Sequence, residues 1–213
     1  MQHHPSSTLY KQHCPIVLAS ASPRRKQLLE TIGLVFSCRP ATIDETLPPG
    51  ESPLAYVQRM AREKSDAVAH RFPGSCTISA DTIVTLQEKV YGKPVSPKEA
   101  LTMLESLNNR THQVITAVRV QWPEKDLLTG CIAQTEVTFG NYPQEVLQGY
   151  IKSGDPMDKA GGYGIQSLGG FLVREIKGSY TNVVGLPMAR VIELLVSQDI
   201  ITPTRTTLEP VTT

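Results

Sequence analysis

The stretch that most constrains this chain is Ile16-Val17-Leu18-Ala19-Ser20-Ala21-Ser22-Pro23-Arg24-Arg25. An apolar run suited to a buried strand passes into four small residues, Ala19 to Ser22, and then Pro23. The pair Ser22-Pro23 reads as an N-cap followed by proline at the first helical position. Strand, tight turn and helix therefore follow one another within a few residues. Just inside the helix stand Arg24, Arg25 and Lys26, three cations at the end where the macrodipole favours negative charge. An anion at this end, most simply a phosphate, reconciles them. Three solvated charges on a surface helix are the plainer alternative.

The strand-to-helix pattern recurs. The first helix extends from Pro23 to about Ile32 and stops at Gly33, a residue suited to the position after a helix. A short strand, Leu34 to Cys38, leads into a proline-rich loop that holds Asp44 and Glu45. Ser52-Pro53 repeats the cap signal and opens a helix to about His70, with Leu54, Val57, Ala61 and Val68 on its apolar stripe. Lys64 falls on the same stripe. An unpaired buried ammonium is costly, so the stem either snorkels to solvent or carries its charge into a site beside a carboxylate or phosphate.

Cys76 to Leu86 reads as a strand with Asp81 at its centre. Aspartate is depleted from strands and seldom buried without a partner. A metal, a basic partner or a catalytic duty would account for it. A hairpin through Gln87 and Glu88 brings Lys93 up behind it. Ser96-Pro97-Lys98-Glu99 starts a third helix with a capping box. Thr111–Trp122 and Cys131–Phe139 read as antiparallel strands, and about Pro143 to Lys152 as a helix. The glycine-rich run from Gly154 to Gln166 matches neither a Walker loop nor a dinucleotide fingerprint. Phe171–Ile176 and Tyr180–Val184 read as a late hairpin, and Pro187 to about Ser197 as the closing helix. The alternation makes the class α/β.

Composition sets the limits. The 213 residues are 40% apolar and 19% charged, with a net charge of +1. These are ordinary globular values, and a near-neutral chain does not have the basic surface of a nucleic-acid binder. No apolar run is long enough to span a membrane, and Met1 to Pro15 lacks the apolar core of a signal peptide. Cys14, Cys38, Cys76 and Cys131 form no CxxC pair, which fits reduced thiols in a cytoplasmic location. The expected organisation is a disordered leader over 1–15, one domain over 16–200 and a flexible tail over 201–213.

The charged groups without a structural reason are Arg24 and Arg25, Glu45, Lys64, and Asp81 with Lys93. They supply cations for phosphates and two carboxylates for a divalent metal, the usual way Mg²⁺ is held with substrate phosphates. Set in order, the motifs Ser20-Ala21-Ser22-Pro23-Arg24-Arg25, Glu45, Ala61-Arg62-Glu63-Lys64, Ala80-Asp81-Thr82, Gly92-Lys93-Pro94 and Asp158-Lys159-Ala160-Gly161-Gly162-Tyr163-Gly164-Ile165-Gln166 resemble those of the Maf family. These are nucleoside triphosphate pyrophosphatases, once called septum-formation inhibitors. The likeness extends from about Ile16 to Ser197.

The resemblance implies a mixed, twisted sheet flanked by helices around a central nucleotide cleft, related to inosine triphosphatases. It implies hydrolysis of a nucleoside triphosphate to monophosphate and pyrophosphate with Mg²⁺ or Mn²⁺. Asp81 would be the base that activates water, and Glu45 and Asp81 would hold the metal. Lys64 and Lys93 would neutralise the triphosphate, while Ser20 and Arg25 would hold phosphate oxygens. Arg24, Thr82 and Gln166 match the substrate-selecting positions of the dTTP/UTP branch, which also takes modified pyrimidine triphosphates. Family members often form homodimers. Two alternatives stand beside this reading: the same chemistry on 7-methyl-GTP, or a non-catalytic regulator of cell division that binds nucleotide or nucleic acid.

Overall fold

Residues 9–204 are described by the computed structural model. β1 (Tyr10–Gln12) and β2 (Ile16–Leu18) lead into α1 (Pro23–Thr31), β3 (Phe36–Cys38) and α2 (Pro53–Ala69). β4 (Cys76–Leu86), β5 (Lys89–Tyr91) and α3 (Pro97–Leu107) follow, then the long strands β6 (Thr111–Trp122) and β7 (Leu127–Phe139). After α4 (Gln144–Lys152), 3₁₀ turns carry the chain to β8 (Val173–Lys177), α5 (Tyr180–Val184), α6 (Met188–Ser197) and β9 (Ile201–Pro203).

The main sheet has the order β3-β2-β4-β6-β7-β8, with β5 paired to the end of β4. β2 runs parallel to β3 and β4, and every other pairing is antiparallel. Parallel neighbours need a crossover between them, which α1 and α2 provide. The mixed sheet flanked by helices is the architecture the family resemblance implies, and it agrees with the α/β class read from the alternation. Ser22, Ser52 and Ser96 each accept a bond from a backbone N–H of the first helical turn, and proline follows each. Gly33 closes the first helical segment at φ 77°.

Alternation along β4 divides the core. Ile78 and Ala80 face Leu29 of α1 and Val191 and Leu195 of α6, and Val84 meets Leu104 and Leu107 of α3. Ile83 turns to the other face, against Val57 and Ala61 of α2. Met60 of α2 is also fully buried, and burying a side chain of this size contributes about 1.5–3 kcal/mol. Asp81 shares the α2 side with Ile83. That is how a carboxylate comes to lie between a sheet and a helix.

Three expectations are corrected. Leu54, placed on the core stripe, is 38% exposed rather than buried. The late hairpin does not form. Val173–Lys177 pairs with β7, whereas Tyr180–Val184 is a helix. Its β-branched residues suggested a strand, but the Ser179 hydroxyl caps it by accepting from Asn182 N, and Gly185 ends it at φ 127°. Buried Asn182 then donates to Val114 O and Thr135 Oγ1, locking the turn to the sheet. Lastly, Tyr10–Gln12 and Ile201–Pro203, expected in a leader and a tail, pair with each other as an antiparallel ribbon. The remainder of that leader and tail, 1–8 and 205–213, lies outside the described residues. Among the described residues, no helix is long and apolar enough to cross a membrane.

Candidate active site

A cavity of about 910 Å³ opens beside the point where β2 passes into α1. Ser20, Arg24, Arg25, Glu45, Lys64, Asp81, Thr82, Lys93 and Gln166 all line it, so the tertiary fold gathers the nine residues the family resemblance placed in the site. With Asp158 and Lys159 included, five cationic side chains face three carboxylates. That balance suits an anionic ligand.

The three cations at the start of α1 have three different fates. Lys26 is exposed and pairs with Glu30 one turn on. Arg24 reaches across the cavity mouth to Asp158 Oδ2 at 2.9 Å and donates a second bond to that residue's carbonyl. Arg25 is buried at 9% exposure and donates to Gly185 O at 2.8 Å, Ser20 Oγ at 3.2 Å and Thr82 Oγ1 at 2.9 Å. Burial lowers its pKa, and the charge of Asp81 opposes that shift. A guanidinium has five N–H donors, and among the described residues three of these are used in these bonds.

Lys64 resolves the anomaly of a cation on an apolar stripe. Its ammonium lies 2.7 Å from Glu45 Oε1 and 2.7 Å from Asp81 Oδ1. The Lys64 and Asp81 side chains are 12% and 13% exposed, and that of Glu45 is 56% exposed. Burial pushes the Glu45 carboxyl upward, but the bond and charge of Lys64, then the charges of Lys93 and Arg25, hold it below its ordinary value. Lys93 stands exposed at the cavity edge, and among the described residues no ion pair involves it.

The glycine-rich loop closes the opposite wall. Gly161 takes φ 71°, and a Cβ there would lie 3.0 Å from the Val84 side chain. Only a bare backbone can pack this tightly on β4. Lys159 is buried and donates to Asp155 O and to the Asp155 and Asp158 carboxylates. Asp158 thus stands between Lys159 and Arg24. Gln166 donates from Nε2 to Gln27 Oε1 at 3.1 Å, tying the loop to α1 a second time.

Sequence reasoning did not find Tyr56, whose hydroxyl donates to Glu45 O at 2.8 Å. It also did not find the pairing of Arg24 with Asp158. Tyr56 could have been found, because it precedes Lys64 by eight residues on the same helix and so shares its side. The Arg24 partner lies 134 residues away, and no local pattern announces it.

The carboxylates of Glu45 and Asp81 converge on one point, which the Lys64 ammonium already marks as suited to a cation. Among the described residues no group of three or more His, Cys, Asp or Glu could hold a metal alone. Two carboxylate donors fit a hard divalent ion whose remaining ligands are phosphate oxygens and water.

The family model described as "Maf-like protein" matches residues 15–198. The chain is 44% identical over 193 residues to the dTTP/UTP pyrophosphatase of Desulfotalea psychrophila, an alignment that covers 91% of this chain and 99% of that protein. It is 46% identical over 180 residues to the dTTP/UTP pyrophosphatase of Myxococcus xanthus, covering 84% and 90%. Among solved structures, the Ham1 protein of Staphylococcus aureus matches with a TM-score of 0.43 and 16% identity over 59% of this chain and 71% of that one. Matched over most of its length, the chain belongs to the Maf family.

Proposed function

We propose that this protein hydrolyses dTTP and UTP, together with modified pyrimidine triphosphates, to the nucleoside monophosphate and pyrophosphate. The names of its relatives support the reaction and the substrates. The observation that carries the chemistry is the Lys64 ammonium, 2.7 Å from both Asp81 and Glu45 inside a cation-rich cavity.

Asp81 is the general base. Oδ1 accepts from Lys64, and among the described residues no hydrogen bond engages Oδ2. That oxygen takes the proton of a water whose oxygen bonds to phosphorus at the α–β anhydride. The bridging P–O bond breaks, and pyrophosphate leaves. Lys64 and Lys93 balance the phosphate charge, and Ser20 and Arg25 orient phosphate oxygens at the start of α1. Arg24, Thr82 and Gln166 select the base. Glu45 and Asp81 would hold Mg²⁺ or Mn²⁺, which would supply polarisation of the phosphorus centre. The free thiols Cys14, Cys38, Cys76 and Cys131 support a cytoplasmic location. The family resemblance supports a homodimer.

The test is a panel of dTTP, UTP, CTP and 7-methyl-GTP with Mg²⁺ or Mn²⁺, following pyrophosphate release. Asp81→Asn should lower turnover by about 10²–10⁴-fold with circular dichroism unchanged. Full turnover by that variant removes Asp81 as the base, and preference for 7-methyl-GTP removes the substrate reading. Salt-sensitive binding to single-stranded DNA without turnover of any triphosphate would favour the regulator instead.

A further inference from the structure

Residues 39–52, between β3 and α2, contain no helix or strand, yet Glu45 stands among them. Its carboxylate is more than half exposed. Something other than packing must hold it against Lys64. Within the loop, Asp44 Oδ1 accepts from Thr46 N and Oγ1, a local turn that does not anchor it to the rest of the protein. Among the described residues, every side-chain bond from outside the loop to positions 40–51 comes from α2.

Those bonds come from one side of the helix. Tyr56 donates to Glu45 O at 2.8 Å. One turn on, Arg59 donates from Nη2 to Thr46 O at 3.0 Å, and from Nε and Nη2 to the two Glu51 oxygens at 2.8 Å each. Its Nη1 meets Glu63 Oε1 at 3.4 Å, and its guanidinium lies 5.5 Å from the Tyr56 ring centroid. One planar fork therefore holds the backbone next to Glu45 and the far end of the loop together. A bidentate pair of this kind is directional as well as strong. Neither Arg59 nor Glu51 lines the cavity.

We propose that Arg59, latched to Glu51, is a positioning residue that fixes the loop backbone so that the Glu45 carboxylate stays within bonding reach of Lys64. This rests on the proposed function, because Glu45 matters only if the cavity hydrolyses a triphosphate. A displacement of about 1 Å at a catalytic group can cost about 10²-fold in rate. The latch thus acts on turnover through Glu45 without touching the nucleotide.

The experiment uses the full chain with Arg59→Ala, Arg59→Lys and Glu51→Gln. It measures kcat and KM for UTP with Mg²⁺, the thermal midpoint, and amide hydrogen exchange over 42–47. Arg59→Ala and Glu51→Gln should lower kcat by about 10–100-fold, with KM changed much less. Exchange over 42–47 should accelerate while β4 keeps its protection. Arg59→Lys should fall between, because one ammonium cannot reach both Glu51 oxygens and Thr46 O together. If Arg59→Ala does not fold, Glu51→Gln carries the test with an isosteric change. A lowered midpoint with unchanged kcat per folded molecule reduces Arg59 to a structural prop and overturns the proposal. So does faster exchange without a fall in kcat, or a fall in kcat without faster exchange. If the parent protein turns over neither UTP nor dTTP, the proposed function fails, and the exchange arm judges the latch by itself.

Discussion

Replacing Lys64 by methionine keeps the reach of the side chain and removes the ammonium that is ion-paired with both carboxylates. Each carboxylate oxygen lies 2.7 Å from Nζ, so the pair stands no farther apart than about twice that distance. At about 5 Å and an effective dielectric of about 20, their repulsion is about 3 kcal/mol. Glu45 is 56% exposed, and solvent screening cuts the figure to about 1–2 kcal/mol, or about one pKa unit. In the parent protein, the Glu45 pKa is held below its ordinary 4.5. A depressed carboxylate contributes stability that is present above the unfolded pKa and lost as pH falls through the folded one. In Lys64→Met the sign reverses. The upper pKa of the pair rises above the unfolded value, so the folded state binds the proton more tightly. The penalty is full at neutral pH and is relieved as pH falls toward about 5. Thermal melts of both proteins at about pH 7.5 and about pH 5 should show the gap in midpoint narrowing by about 2–4 °C on acidification. Parallel pH profiles would refute the shared-cation reasoning, because they would mean the two carboxylates do not sense each other.

Two further outcomes follow from the walls of the cavity. Gly161→Ala places a Cβ at φ 71°, 3.0 Å from the Val84 side chain, and the left-handed backbone alone costs about 1–2 kcal/mol. Its urea midpoint should fall, and an unchanged midpoint would show that the loop does not pack on β4 as described. His112 is buried with Nε2 bonded to the Tyr163 hydroxyl and Nδ1 without a partner among the described residues. Burial lowers its pKa from 6.5 to about 4. Its neutral form therefore supports the fold above about pH 6.5, and that support declines as pH falls toward about 4, a loss on the order of 3 kcal/mol. His112→Gln should flatten the stability slope across this window. An identical slope in the variant would place the titration elsewhere.

The capped helices were legible because their signals are local. Ser22, Ser52 and Ser96 cap the helices they precede, each with proline next in the chain. Asp81 and Lys64 were legible as misfits, because an aspartate in a strand and a lysine on an apolar stripe cost free energy unless something compensates. The helix at Tyr180–Val184 was misread because its β-branched residues favour a strand. What overrode them was the Ser179 cap and the anchoring of Asn182 to the sheet.

By itself, then, the chain determined where the three serine-capped helices begin, which residues needed partners, and, through ordered motifs, the family. Only the tertiary structure decided who the partners are. Lys64 meets Asp81 across a helix–sheet contact and Glu45 across a loop. Arg24 meets Asp158, and Arg25 turns inward to Gly185, 160 residues away. The physical reason is range. Caps and periodicity act over one or two helical turns, whereas an ion pair depends on where the sheet register and the crossovers carry its two ends.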